Sequence, residues 1–271
     1  MARAEALPGR RFSFRRRTPV DPEGRMPVMD HLRELRRRIV ISLAAFVVFS
    51  IAGFVFFAPL IDFLLEPLCG VGADKLGPQG CSLVFTKATG AFMVQMKVAA
   101  LVGLFVSSPV WLYHLWAFTV PALSTTERRY SKPFVASSVL LFSSGAVLAY
   151  VTLPKALEFL LSFGAGRLTP LLQADTYLNL VMLVTLAFGA MFEVPLFLFF
   201  LGLVGVVTPQ RLRRYRKHSI IAIAALSAVV TPSQDPITML VMAVPVYGLY
   251  ELNIWLLSII DKRKKRKGAV T

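Results

Sequence analysis

Long apolar runs fenced by positive charge leave this chain few folds to choose from. Uncharged stretches cover 39–60, 98–120, 134–154, 176–207 (broken only by Glu193), 219–231 and 237–260 (broken only by Glu251). A helix needs about 20 apolar residues to cross roughly 30 Å of hydrocarbon, and four of the six runs meet that length easily. Hydrophobic residues are 56% of the 271. A soluble domain of this size has no use for so many long apolar runs. The pattern predicts an all-α protein, a bundle of six transmembrane spans.

Charge sets the orientation. Of 30 Lys and Arg residues, 25 lie before residue 39, between spans two and three, between spans four and five, or after residue 260. The positive-inside rule places these segments, and with them both termini, in the cytoplasm. An even number of spans also requires the termini to share a side. Topology and attraction to anionic lipid explain the net charge of +15 better than nucleic-acid binding does. Three parts follow: a disordered basic cytoplasmic tail (1–26), a six-span membrane domain (27–260) and a basic cytoplasmic tail (261–271). The first part has no apolar run, so it does not read as a cleaved signal. Phe14, Arg15, Arg16 and Arg17 look superficially like an export signal but read as part of that tail.

Cys69 and Cys81 both fall in the first external loop, with eleven residues between them. External loops face an oxidising compartment, so a structural disulfide is expected, with two free thiols as the alternative. The last two spans are expected to be short. The run 219–231 covers only about 20 Å at roughly 1.5 Å per residue. Pro232, Asp235 and Pro236 then force a turn. Only 14 uncharged residues, 237–250, precede Glu251. Such a mismatch is relieved by thinning the bilayer or by oligomerising. Span four is the opposite case, 32 residues long, with Pro195 available for a kink.

Glu193 lies mid-span. A central acid costs about 2.5–3.5 kcal/mol on insertion scales, so it should face a cavity, a partner or a polar group. The alternative is a hydrogen-bonded structural Glu. Lys97 is expected to snorkel, and Glu251 to pair with the basic tail. On the cytoplasmic face, Glu34 and Glu127 sit among arginines. Each can pair with its neighbours. Together they can also clamp two guanidiniums, whose planar forks suit carboxylates as Lys does not.

Enzyme signatures are missing: no His-Glu-x-x-His, no Gly-x-Ser-x-Gly and no phosphate loop. No Cys/His cluster suits a metal, and no cofactor is expected. A secondary transporter would show inverted repeats and midplane ion ligands, and no such repeat is visible.

In order along the chain come His31, Leu32, Arg33, Glu34, Leu35 and Arg36; Glu66, Pro67 and Leu68; Ser108, Pro109 and Val110; and Leu115 to Leu123, including Trp116, Phe118 and Pro121. Glu127, Arg128 and Arg129 follow, then Phe192, Glu193, Val194 and Pro195, Thr231 and Pro232, and Ala243, Val244 and Pro245 with Glu251. This ordered set resembles the TatC family, the polytopic subunit of twin-arginine protein export. The resemblance implies a cup-like fold in the bacterial cytoplasmic membrane and a receptor for the Arg-Arg signal peptides of folded precursors, driven by the proton-motive force. Glu34 and Glu127 match the acids that receive the arginine pair. Arg36, Phe118, Pro121 and Arg128 match the surrounding face. Glu193 matches an intramembrane acid on the concave side, while Pro67 and Asp235 match external positions. The implied partners are single-span TatA- and TatB-type proteins in an oligomeric complex. A family Gln that helps dock them falls here around the apolar Met239.

Overall fold

The computed structural model describes residues 28–72, 76, 80–119, 131–163, 171–231 and 236–268. Nine helices form among them: α1 (Val28–Val55), α2 (Phe57–Cys69), α3 (Gly90–Val106), α4 (Ser108–Thr119), α5 (Ser131–Ser162), α6 (Ala174–Leu203), α7 (Pro209–Arg214), α8 (Arg216–Val230) and α9 (Pro236–Gly268). In lipid a backbone must satisfy its own hydrogen bonds, and helices do so within one segment. The described residues form no strand. One isolated parallel bridge joins Val84 to Gln173. There Val84 N–H donates to Leu172 O (3.0 Å) and Ala174 N–H donates to Val84 O (2.9 Å).

Among the described residues, four helices are long and apolar enough to cross a membrane: Leu32–Val55, Pro133–Ser162, Ala174–Leu203 and Pro236–Arg263. A fifth crossing arises if α3 and α4, bent by 52°, count as one broken span. The chain is thus a multi-pass membrane protein. At 15 residues, α8 spans about 22 Å and falls short of that length.

Several boundaries differ from the sequence expectation. The first apolar run is not one helix. It breaks at Phe56, and a separate helix, α2, carries Glu66 and Pro67. Pro67 is therefore a buried residue inside a helix, not a loop residue. The second run breaks at Ser107, because Pro109 just beyond it lacks an N–H and clashes with the preceding turn. Span six is not short. Glu251 sits inside one 33-residue helix that runs through the expected tail to Gly268. Only α8 remains short. Helix α6 continues through Pro195, whose carbonyl accepts from Asn253 Nδ2 at 2.6 Å. It ends at Gly205 (φ 86), where Val206 N–H returns to Leu201 O at 3.0 Å. Gly occupies this left-handed position at no steric cost. Thr208 then caps α7, accepting from Arg211 N–H at 3.3 Å, with Pro209 in the first turn.

Small residues let the helices close up. A Cβ on Gly103 of α3 would overlap Ser50 Oγ of α1, and one on Gly145 of α5 would sit 2.7 Å from Phe188 O of α6. Three apolar clusters fill the bundle. One gathers Leu64, Leu68, Val98, Leu153 and Val181 around α2. A second gathers Phe188, Met242, Val246 and Tyr250. The third holds Trp116, Phe134, Leu196 and Phe200.

Candidate functional site

The arginine-bearing helix ends gather at one end of the bundle. The start of α1 and the end of α4 line a common groove. Trp116 of α4 packs on Phe134 at the start of α5 and on Phe200 at the end of α6. Next in the chain, α7 is tied to α9: Arg213 donates to Ser258 Oγ (3.1 Å) and Tyr250 Oη donates to Leu212 O (2.8 Å). Arg33, Arg36, Arg37, Arg38, Arg211, Arg213, Arg214 and Arg216 therefore share one end.

Glu34 sits at this end, half-buried. Arg38, one helical turn further on, donates to its Oε1 at 2.5 Å. The carboxylate keeps 38% of its side-chain surface exposed, the guanidinium 17%. Arg36 is exposed and Phe118 half-buried. Phe118 and Arg38 line the groove, about 390 Å³ in volume, between α1 and α4, with Leu35, Phe46, Trp111 and His114. The two side chains stand one turn apart on a single helix and form a half-buried pair.

Glu193 is half-buried in α6. Ser138 Oγ of α5 lies 2.8 and 2.9 Å from its two carboxyl oxygens. Trp116 Nε1–H donates to the same Ser138 Oγ at 2.9 Å. This relay from α4 through α5 to α6 holds the acid in place. One hydroxyl fills only part of a carboxyl's acceptor capacity, so Glu193 can still receive a donor from outside.

The opposite end is closed on itself. Cys69 and Cys81 are bonded, with Cα atoms 4.9 Å apart. Tyr177 Oη donates to Leu64 O (2.6 Å), and Tyr150 Oη to Phe63 O (2.6 Å). Lys97 does not simply snorkel: it pairs with Asp175 and donates to Asn179 Oδ1 at 2.8 Å. Glu251, expected to pair with the tail, accepts among the described residues from Arg216 of α8 (2.6 Å) and from Tyr247 of its own helix (2.8 Å).

Pro121, Glu127, Arg128 and Asp235 lie outside the described residues. Met239 is half-buried in α9. No cluster of metal-ligating side chains occurs among the described residues. Sequence reasoning missed Ser138 and the role of Trp116. A serine inside an apolar helix is a signal for a buried polar partner, but its partners lie 22 and 55 residues away.

Helices of these lengths, a bent helix pair and an acid held inside the bundle define a polytopic membrane protein with an arginine-rich end. The family model for "Sec-independent protein translocase protein (TatC)" matches residues 30–245, and the chain belongs to the TatC family. A relative of that name from Frankia casuarinae is 42% identical over 259 residues, covering 93% of this chain and 71% of the relative. One from Aquifex aeolicus is 38% identical over 243 residues, covering 89% and 98%. A crystal structure of the twin arginine translocase receptor TatC in DDM superposes with a TM-score of 0.68. Its identity is 37%, and the match covers 83% of this chain and 98% of that one.

Proposed function

We propose that the chain is the receptor subunit of a twin-arginine translocase in the bacterial cytoplasmic membrane. It spans the bilayer six times, α8 being the short fifth span, with both termini in the cytoplasm. The arginine-rich end then faces the cytoplasm, as the positive-inside rule requires. Glu34 and Glu127 clamp the consecutive arginines of a signal peptide, and Arg36, Arg128, Phe118 and Pro121 shape the face around them. Glu193 contacts single-span partners of the TatA and TatB type, which a polar group in lipid can help recruit. Pro67 and Asp235 belong to the external side. The role is transport, with no catalytic step.

The observation that carries this reading is Glu34: a partly accessible carboxylate next to the groove-lining Leu35 and Arg38, paired among the described residues with Arg38 of its own helix. Arg-Arg suits it better than Lys-Lys because the guanidinium fork bonds a carboxylate in a bidentate way. The test is binding of labelled signal peptide to the protein in nanodiscs. Arg-Arg peptide should bind, Lys-Lys peptide should bind weakly, and Glu34→Ala and Glu127→Ala should each lose the preference. Equal binding of the two peptides would refute the clamp.

A further inference from the structure

Helix α4 presents two faces. Leu115 and Phe118 line the groove opposite Leu35 and Arg38 of α1. Leu112 and Trp116, four residues apart and so on one side of the helix, are buried. The direction of α4 is not inherited from α3. The two helices are bent by 52°, and Pro109 has no N–H to continue the backbone bonds between them. Side chains hold α4 instead. At its start, Trp111 Nε1–H donates to Leu104 O of α3 at 3.1 Å, and the ring meets Phe142 of α5 edge-on at 5.2 Å. At its end, Trp116 Nε1–H donates to Ser138 Oγ of α5 at 2.9 Å, and the ring meets Phe134 at 4.5 Å. Trp116 is 3% exposed and Ser138 0%. An indole N–H buried this deeply needs its acceptor, so Ser138 fixes one position for the ring. Ser138 Oγ in turn donates toward the Glu193 carboxyl (2.8 and 2.9 Å), which leaves its lone pairs to Trp116.

We propose, on the receptor reading above, that Trp116 and Ser138 are positioning residues for the recognition of consecutive arginines. Their bond sets where α4 stands against α1, and so where Phe118 stands relative to the Glu34–Arg38 pair. Neither residue touches the peptide. Phe118 lies two residues beyond Trp116, on the opposite side of a helix with 3.6 residues per turn. A tilt or rotation of the anchored side therefore carries the Phe118 side with it. Guanidinium on carboxylate is a bidentate fit that depends on angle as well as distance. A Lys ammonium is a point charge with rotatable donors and tolerates displacement. Loss of the anchor should thus erode the preference for Arg-Arg more than it erodes binding as such.

The test is the ratio of Arg-Arg to Lys-Lys signal-peptide affinity, measured for the full chain in nanodiscs. Trp116→Phe keeps an aromatic ring in the cluster and loses the donor. It should lower the ratio by about fivefold or more, the scale of one net hydrogen bond. Ser138→Ala should do the same, and Trp116→Phe carries the test by itself if Ser138→Ala fails to fold. The double variant should lose no more than the larger single, because both cut one bond. Ser138→Thr keeps the hydroxyl and should hold the native ratio. Tyr177→Phe removes a buried hydrogen bond at the other end of the bundle. It controls for stability alone and should leave the ratio unchanged. Equal affinity of the native protein for the two peptides would remove the receptor reading, and this proposal with it. A native preference that survives in Trp116→Phe would overturn the proposal alone. So would losses that add in the double variant, a ratio in Ser138→Thr as low as in Ser138→Ala, or an equal loss in Tyr177→Phe.

Discussion

The two ends of the bundle use polar chemistry in opposite ways. At the disulfide end, polar groups are consumed by internal struts: the Cys69–Cys81 bond, Lys97 on Asp175, Tyr177 on Leu64 and the Val84–Gln173 bridge. These tie α2 and the segment after it to α6, and α3 to α6. At the arginine-rich end, charge is left in surplus. Among the described residues, Glu34 is paired with Arg38 of its own helix, Arg38 Nη1 has no hydrogen-bond partner, and a groove lies beside Arg38. One end is closed by cross-links between elements, and the other gathers arginines beside an apolar groove. Within a membrane, where burying apolar surface gives helices little reason to associate, polar struts are what a scaffold can afford.

The contrast can be broken or sharpened by substitution. The largest expected effect on stability is at the disulfide. Cys69→Ser should lower the unfolding free energy by about 2–4 kcal/mol, read as an earlier thermal transition, while signal-peptide binding at folding temperatures stays intact. Tyr177→Phe removes the buried strut to Leu64 and should cost about 1–3 kcal/mol, since the carbonyl loses its partner. Ser138→Ala lies between the two ends in kind. It strips the shared partner from Trp116 and Glu193 and should cost about 0.6–1.7 kcal/mol, measured by denaturation in detergent, with a change in Trp116 fluorescence that a remote substitution would not give. Smallest of all, Arg216→Gln breaks an exposed pair with Glu251 and should cost about 0.2–1 kcal/mol. A loss larger than that of Cys69→Ser would mean the α8–α9 contact carries more of the fold than its exposure implies.

Much of this division was legible in the residues. Apolar length and the placement of arginines marked the membrane helices and put Glu34 at a charged end. The same runs concealed the break at Phe56, although Pro59, which has no N–H to reach back to Val55 O, stands three residues beyond it. The resemblance placed Pro67 among external positions, and the structure puts it inside the last turn of α2. The bend at Ser107 was written in Pro109 but hidden by unbroken hydropathy. Glu251 read as a helix boundary because an isolated acid in lipid is costly, and Arg216 removes that cost from another helix. Partners of this kind, like Ser138 for Glu193, are set by tertiary neighbours that no window of sequence displays.

The central claim is that recognition is confined to the arginine-rich end while the disulfide end is scaffold. The most direct test is photo-crosslinking of an Arg-Arg signal peptide to two variants in membranes, one with benzoylphenylalanine in place of Phe118 and one with it in place of Phe85. Phe85 is exposed beside the Val84 bridge. The account predicts an adduct at position 118 that disappears with a Lys-Lys peptide, and none at 85. An adduct at 85 equal to or stronger than that at 118 would contradict it.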